Sequence, residues 1–408
     1  MKSTLGGIFT ADKSGKGAAA GSTRRLFIDG GDPCAERAAA GGDYGAQDVR
    51  SLVSPPTGRE LCRRSGPPQA GNTPSGILFS GKVGDSMKRI LVTLPVTEEQ
   101  KRQYSNIAPE AEFIYCRKEE VTAGLAARVT AVIGNIAPSL LAVNQGIEWV
   151  QLNSAGTDGY LAEGVLSGSA VLTNATGAYG TAIAEHMTGQ LLMLLKKFPV
   201  YLENQKNRIW KDAGRVRPII GSHILIVGAG DIGMEFASRM KAFGAYITGI
   251  RRTVREKPDC MDEMDTAENL EKRLAQADVV AVCLPGTRET FHLFSERQFA
   301  AMKEGAVFLN VGRGNIVDTE ALVKVLKDGK LWGASLDVFE QEPLPEDSEL
   351  WSCPNLLITP HVSGGFHLPY TVDRIVEISL KNLAAYIHHE EYVSVVDRAT
   401  GYKVSGSL

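Results

Sequence analysis

A cation, a carboxylate and an imidazole follow one another along the last third of this chain. Arg313 stands in Asn310-Val311-Gly312-Arg313-Gly314, Glu342 in Asp337-Val338-Phe339-Glu340-Gln341-Glu342-Pro343, and His361 in Thr359-Pro360-His361. A planar guanidinium can grip a carboxylate with two parallel bonds and polarise a carbonyl beside it. An imidazole can hand a proton to that carbonyl oxygen and take it back in the reverse direction. Upstream lies Gly228-Ala229-Gly230-Asp231-Ile232-Gly233, a turn of the kind that cradles a dinucleotide pyrophosphate. Together these are the parts needed to bind a 2-oxo acid, deliver a hydride to it and protonate the resulting oxygen.

Such groups act only if the fold brings them together. The glycine turn has the context it requires, because it follows an apolar strand at 224–227 and opens a helix expected over 234–243. Gly228 suits the tight turn, Gly230 lets backbone approach the pyrophosphate, and Gly233 lets helix and strand pack closely. The helix then offers its unpaired N–H groups and positive dipole end to the phosphates. At the end of the next strand the chain reads Gly249-Ile250-Arg251-Arg252-Thr253, with no acid to accept from ribose hydroxyls. Two guanidiniums suit a 2′-phosphate, so NADP is the expected cofactor, with NAD the alternative.

Strands and helices alternate from Met87 onward. Strands are expected at 90–94, 113–115, 131–133 and 149–152, then a long helix over 181–207, then strands at 223–227, 246–250, 279–283, 307–309, 333–336 and 356–358. An amphipathic helix over 372–388 closes the series. This pattern predicts an α/β protein with two doubly wound parallel-sheet, Rossmann-like domains, the first interrupted by the second. Residues 87–179 and 366–400 form the expected substrate domain and 180–365 the nucleotide domain. Residues 1–86 differ, being rich in Gly, Ala, Ser and Pro without apolar periodicity, and are expected to be a disordered extension.

Bulk properties narrow the classes. The 408 residues carry 44 Lys+Arg against 47 Asp+Glu, a formal net charge of −3, which gives no footprint for nucleic acid or a membrane surface. The six cysteines are scattered without metal-ligand spacing, so reduced thiols, no metal site and a cytoplasmic location are expected. No run reaches the ~18 apolar residues of a membrane span. Leu191–Leu195 carries more apolar surface than one core face requires, which points to a homodimer.

The motifs together resemble the D-isomer-specific 2-hydroxyacid dehydrogenase family. The resemblance spans 87–400 and rests on Asn153-Ser154-Ala155-Gly156-Thr157-Asp158, Ala182-Ile183-Ala184-Glu185, the glycine turn, Leu284-Pro285-Gly286-Thr287-Arg288-Glu289-Thr290, and the three motifs holding Arg313, Glu342 and His361. It implies that Arg313 clamps the substrate, that His361 is the acid–base group and that Glu342 orients the ring and stabilises the imidazolium. The family pattern sets the acid directly before proline, hence Glu342 rather than Glu340. It further implies substrate carboxylate binding by the amides of Ala155 and Gly156. Cofactor contacts are implied at Gly228, Gly230, Asp231, Ile232, Gly233, Leu284, Pro285, Thr290, Val311, Gly312 and Asp337, the last taking the nicotinamide carboxamide. Asp318 reads as a helix cap, Glu185 as structural, and His367, His388 and His389 as surface residues.

The arginine pair and the short C-terminal end favour a reductase of glyoxylate, hydroxypyruvate or a related small 2-oxo acid. Phosphoglycerate, another 2-hydroxy acid or a phosphonate is the alternative substrate. A dinucleotide-sensing binding protein like the C-terminal-binding corepressors is the alternative of another class.

Overall fold

The computed structural model describes residues 87–253, 256–366, 368–399 and 401. The expectations for 1–86 and for His367 lie outside them. The first series comprises β1 (Arg89–Val92), α1 (Glu98–Ile107), β2 (Glu112–Tyr115), α2 (Ala123–Ala126), β3 (Ala131–Ile133), α3 (Pro138–Ala142), β4 (Trp149–Gln151) and β5 (Val171–Thr173). Its five strands are parallel and ordered β2-β1-β3-β4-β5. Two helices follow, α4 (Gly180–Leu195) and α5 (Phe198–Lys206).

The second series runs β6 (His223–Val227), α6 (Asp231–Ala242), β7 (Tyr246–Ile250), β8 (Glu263–Asp265), α7 (Leu270–Leu274), β9 (Val279–Val282) and α8 (Glu296–Ala301). It continues with β10 (Val307–Asn310), α9 (Thr319–Lys327), β11 (Gly333–Leu336), β12 (Leu356–Ile358) and finally α10 (Pro369–His388). These seven strands are parallel in the order β12-β11-β10-β9-β6-β7-β8. The chain therefore winds outward from β6 in one direction and returns through β9 on the other. That reversal opens a crevice at the strand C-termini, the place where open α/β sheets bind ligands. Two α/β units with parallel sheets are thus the observed fold.

The central strands are sealed on both faces, as a parallel sheet requires. Ile224, Ile226, Val279, Ala281 and Val307 pack on one side, and Leu225, Val280, Val282 and Phe308 on the other. Helix α4 lies along α6. Helix α10 lies on the first sheet: Tyr104 and Ser379 share a 2.5 Å hydroxyl contact, Asn382 Nδ2 donates to Gln151 Oε1 at 2.7 Å, and the Trp149 and Tyr386 rings meet at 5.4 Å.

Three expectations need correction. The long helix over 181–207 is two helices, because Lys197 takes a left-handed φ of 56° and Pro199 restarts the chain in the first turn of α5. Strands β5 and β8 were not expected. Leu191, Leu194 and Leu195, read as surplus surface, are 0%, 5% and 3% exposed within the chain itself. The exposed apolar side chains lie further on, at Phe198, Val200, Leu202, Ile209 and Trp210. No described helix is long and apolar enough to cross a membrane.

Candidate active site

The glycine turn closes over β9 and leaves room beside α6. Gly228 sits at φ 104°, and a Cβ there would lie 2.8 Å from the Cys283 carbonyl carbon. A Cβ on Gly233 would come within 2.4 Å of the Gly228 carbonyl oxygen, so helix and turn touch only because Gly233 lacks one. A Cβ on Gly230 would meet nothing within 4 Å. The turn thus borders a cleft of about 430 Å³ lined also by Ile232, Ile250, Arg251, Arg252, Leu284 and Pro285. Its far wall is formed by Ala155 and Gly156 of the first sheet's loops and by Val311, Gly312 and Arg313. Open space at a helix start with N–H groups exposed to it fits a pyrophosphate, and the walls fit a nicotinamide dinucleotide.

The two arginines at the end of β7 differ. Arg251 folds back, Nε donating to the Ala229 carbonyl at 2.5 Å and Nη2 reaching Met234 Sδ at 3.3 Å. It clamps the glycine turn. Arg252 is exposed at the rim of the same cleft.

Arg313 crosses from the end of β10 to the loop after β4. Its Nη2 lies 3.1 Å from Asp158 Oδ2, and its Nη1 donates to the Gly312 carbonyl at 2.9 Å. The guanidinium rests on Gly156, where a Cβ would be 2.0 Å from Nη2. Among the described residues the amides of Ala155 and Gly156 have no acceptor. The loop is held from behind by Asn174 Nδ2 on the Ala155 carbonyl (2.7 Å) and by Ser154 Oγ on the Gly156 carbonyl (2.7 Å).

His361 follows β12, with Nδ1 2.7 Å from Glu342 Oε2. The other Glu342 oxygen accepts from the Phe339 N–H at 2.9 Å, so the carboxylate is fixed before it meets the ring. With Nδ1 bonded, Nε2 is the nitrogen left to face a ligand. A Cβ on Gly314 would lie 1.8 Å from the Phe339 carbonyl carbon, so the loops bearing Arg313 and Glu342 are in backbone contact. Arg313, Glu342 and His361 therefore occupy the C-terminal ends of three adjacent strands, β10, β11 and β12.

Three of the residues expected to contact a cofactor bond within the chain. Asp337 is 1% exposed, and its carboxylate accepts from Thr359 Oγ1 (2.6 Å), Val362 N (3.0 Å), Ser363 N (3.0 Å) and Ser363 Oγ (2.5 Å). A carboxylate has about four lone-pair positions. The four bonds of Asp337 hold the turn that carries His361. Asp231 turns its side chain toward α4 and accepts from the N–H groups of Gly180 and Gly177; burial raises its pKa above the usual carboxylate range against those bonds. Thr290 folds its hydroxyl onto the Pro285 carbonyl at 2.8 Å and shapes its own turn. Asp318 caps α9 through Ala321 N at 3.2 Å. His388 and His389 are exposed.

Residues not singled out from sequence also take part. Asp158 meets Arg313 although only its place in a motif drew notice. His186 and Gln190 of α4 reach Thr359 Oγ1 at 3.1 and 3.3 Å, beneath the Asp337 carboxylate. Burial pushes the His186 imidazole below its ordinary pKa, against the pull of Asp337. Tyr179 bonds the Asn153 carbonyl and lines the cleft. Nothing in residue type or spacing distinguished these groups from helix-face residues.

Comparison with known proteins identifies the family. The family model described as D-isomer specific 2-hydroxyacid dehydrogenase, NAD binding domain, matches residues 188–363. A glyoxylate/hydroxypyruvate reductase B of Klebsiella pneumoniae is 30% identical over 301 residues, 72% of this chain and 90% of that protein. The structure of a D-isomer specific 2-hydroxyacid dehydrogenase family protein from Aeromonas salmonicida superposes with a TM-score of 0.68 at 34% identity, covering 77% of this chain and all of that one. A NADPH-dependent glyoxylate/hydroxypyruvate reductase from Sinorhizobium meliloti, solved with NADP and malonate, gives a TM-score of 0.61 at 29% identity over 78% of this chain and 99% of its own. The chain belongs to the D-isomer-specific 2-hydroxyacid dehydrogenases, NAD(P)-dependent oxidoreductases of α/β architecture.

Proposed function

We propose that this chain reduces a small 2-oxo acid of the glyoxylate or hydroxypyruvate type, using Arg313, Glu342 and His361, and prefers NADPH. The observation that carries the reading is the 2.7 Å His361–Glu342 pair on a loop in contact with the Arg313 loop, beside a glycine-turn cleft. A nicotinamide dinucleotide held in that cleft supplies the hydride. Arg313 and the amides of Ala155 and Gly156 hold the substrate carboxylate, so the carbonyl is aimed before reaction. His361 donates the proton from Nε2 to the carbonyl oxygen, while Glu342 keeps the ring in place and stabilises its positive form. Asp337 serves as a positioning residue for the His361 turn.

Cofactor preference rests on Arg252 at the rim and on the absence of an acid at the end of β7. The sheet of β1–β5 with α10 is read as the substrate domain, residues 87–179 and 366–400, and 180–365 as the nucleotide domain. A homodimer is proposed through the exposed apolar side chains of 198–210, and light scattering at micromolar concentration should give twice the chain mass. The activity is tested with purified protein, NADPH or NADH, and a panel of glyoxylate, hydroxypyruvate, pyruvate and phosphonate substrates. Glyoxylate and hydroxypyruvate should oxidise NADPH fastest; no oxidation with any 2-oxo acid would overturn the reading.

A further inference from the structure

The carboxylate of Asp158 occupies the place assigned to the substrate. Its Oδ2 lies 3.1 Å from Arg313 Nη2. A Cβ on Gly156 would be 2.7 Å from the same Oδ2 and 2.0 Å from that Nη2. Both ends of the ion pair therefore sit against the Gly156 backbone, beside the amides that have no acceptor among the described residues. A cation flanked by unpaired N–H groups is an anion site, and the anion found there belongs to the chain.

We propose that Asp158 is an internal competitor for the substrate carboxylate: it neutralises Arg313 in the free enzyme and must be displaced whenever a small carboxylate binds. This rests on the reading of Arg313 as the carboxylate clamp. The pair is suited to displacement. Asp158 is 74% exposed and Arg313 31%, and an ion pair open to water is held weakly. Once displaced, the aspartate remains nearby as a like charge and continues to oppose the ligand. Both effects act on the carboxylate alone, so the penalty is the same for every small 2-oxo acid. It sets how much substrate is needed without choosing among substrates.

The test uses oxalate, a nonreactive two-carbon dicarboxylate, titrated calorimetrically into the full-length protein. Asp158→Asn keeps the side chain's shape and removes its charge, and Asp158→Ser removes charge and reach. Both should bind oxalate about two- to fivefold more tightly than wild type, the scale of a removed exposed charge contact. The KM for glyoxylate and for hydroxypyruvate should fall by the same factor. Binding by wild type that is lost in Arg313→Gln but is no tighter in either Asp158 variant would overturn this inference and leave the clamp standing. Weaker binding in both variants would also overturn it, since Asp158 would then orient Arg313. No oxalate binding by any form would overturn both readings.

Discussion

Two histidine–glutamate pairs lie on loops of the seven-stranded sheet, alike in contact and in the histidine's backbone angle but different in their surroundings. His361 and Glu342 meet at 2.7 Å, His292 and Glu340 at 2.6 Å. Both histidines take left-handed backbone angles, φ 52° and 48°, a region that non-glycine residues enter at some cost. The second oxygen of Glu340 accepts from Thr319 N at 3.0 Å and from Thr319 Oγ1, at the start of α9. Burial would raise its pKa, but the bonds from Thr319 and His292 outweigh that and hold it below the usual carboxylate range. His292 stacks on Phe291 at 4.0 Å. That pair ties a loop to a helix end. The pair at 342 and 361 instead stands on adjacent strand ends, its turn held by the four bonds of Asp337, with the Arg313 loop in contact. The distance between a histidine and a carboxylate therefore says little; what surrounds them decides whether they can meet a ligand.

The largest expected contrast is kinetic. His361→Gln should lose on the order of 10²–10⁴ in turnover, the worth of a positioned general acid. His292→Gln should stay within about twofold, as for a surface change away from special features. Steady-state rates with NADPH and glyoxylate decide it, and equal losses would erase the distinction between the pairs.

A second pair of like neighbours, Arg251 and Arg252, sharpens the same lesson. Arg252→Ala should lower the NADPH-to-NADH ratio of kcat/KM about tenfold, as the loss of a charge-assisted bond to a phosphate predicts. Arg251→Ala should weaken both cofactors alike, because its guanidinium holds the Ala229 carbonyl. A ratio moved by Arg251 and not by Arg252 would reverse the assignment.

Stability should single out Glu340, whose partner lies at the start of a helix. Glu340→Gln should leave kcat in place yet cost roughly 1 kcal/mol by loosening the start of α9, read from the denaturant midpoint. The last effect is confined to acid and is expected at Asp265. Hydrogen bonds from Asn269 first, then Arg273 and Thr266, hold its carboxyl down to about 2. Its folded value lies below the unfolded one of about 3.9, so its stabilisation is present above that value and is lost as pH falls from about 4 to about 2. Asp265→Asn should flatten the acid limb of stability in that window, and an unchanged limb would remove Asp265 as a contributor.

Most of the architecture was legible because buried parallel strands are short apolar runs and glycine turns have a demanding context. What was missed has physical reasons. Strand β8 reads Glu263-Met264-Asp265 at the sheet edge, where only one neighbour strand pairs and polar side chains reach water. Strand β5 follows β4 with no helix between them, so the alternation of strand and helix does not mark it. The break after α4 follows from one left-handed lysine before a proline, in a stretch whose apolar periodicity continues across it. At the site, Arg313, Glu342 and His361 were legible through motif order. The position of Asp337 was legible too, but its task depends on Thr359 and Ser363 folding around it, which spacing cannot express. The same holds for Asp158, whose partner stands 155 residues away.

If His361 protonates the substrate oxygen as proposed, Glu342 should act on that oxygen only through it. A double-mutant cycle on kcat/KM for glyoxylate with NADPH, using His361→Gln, Glu342→Gln and both together, tests it most directly. If Glu342 works only through the histidine, the double variant should lose no more than His361→Gln alone. Losses that simply add in free energy would rule out that coupling, because they would give Glu342 a catalytic task of its own.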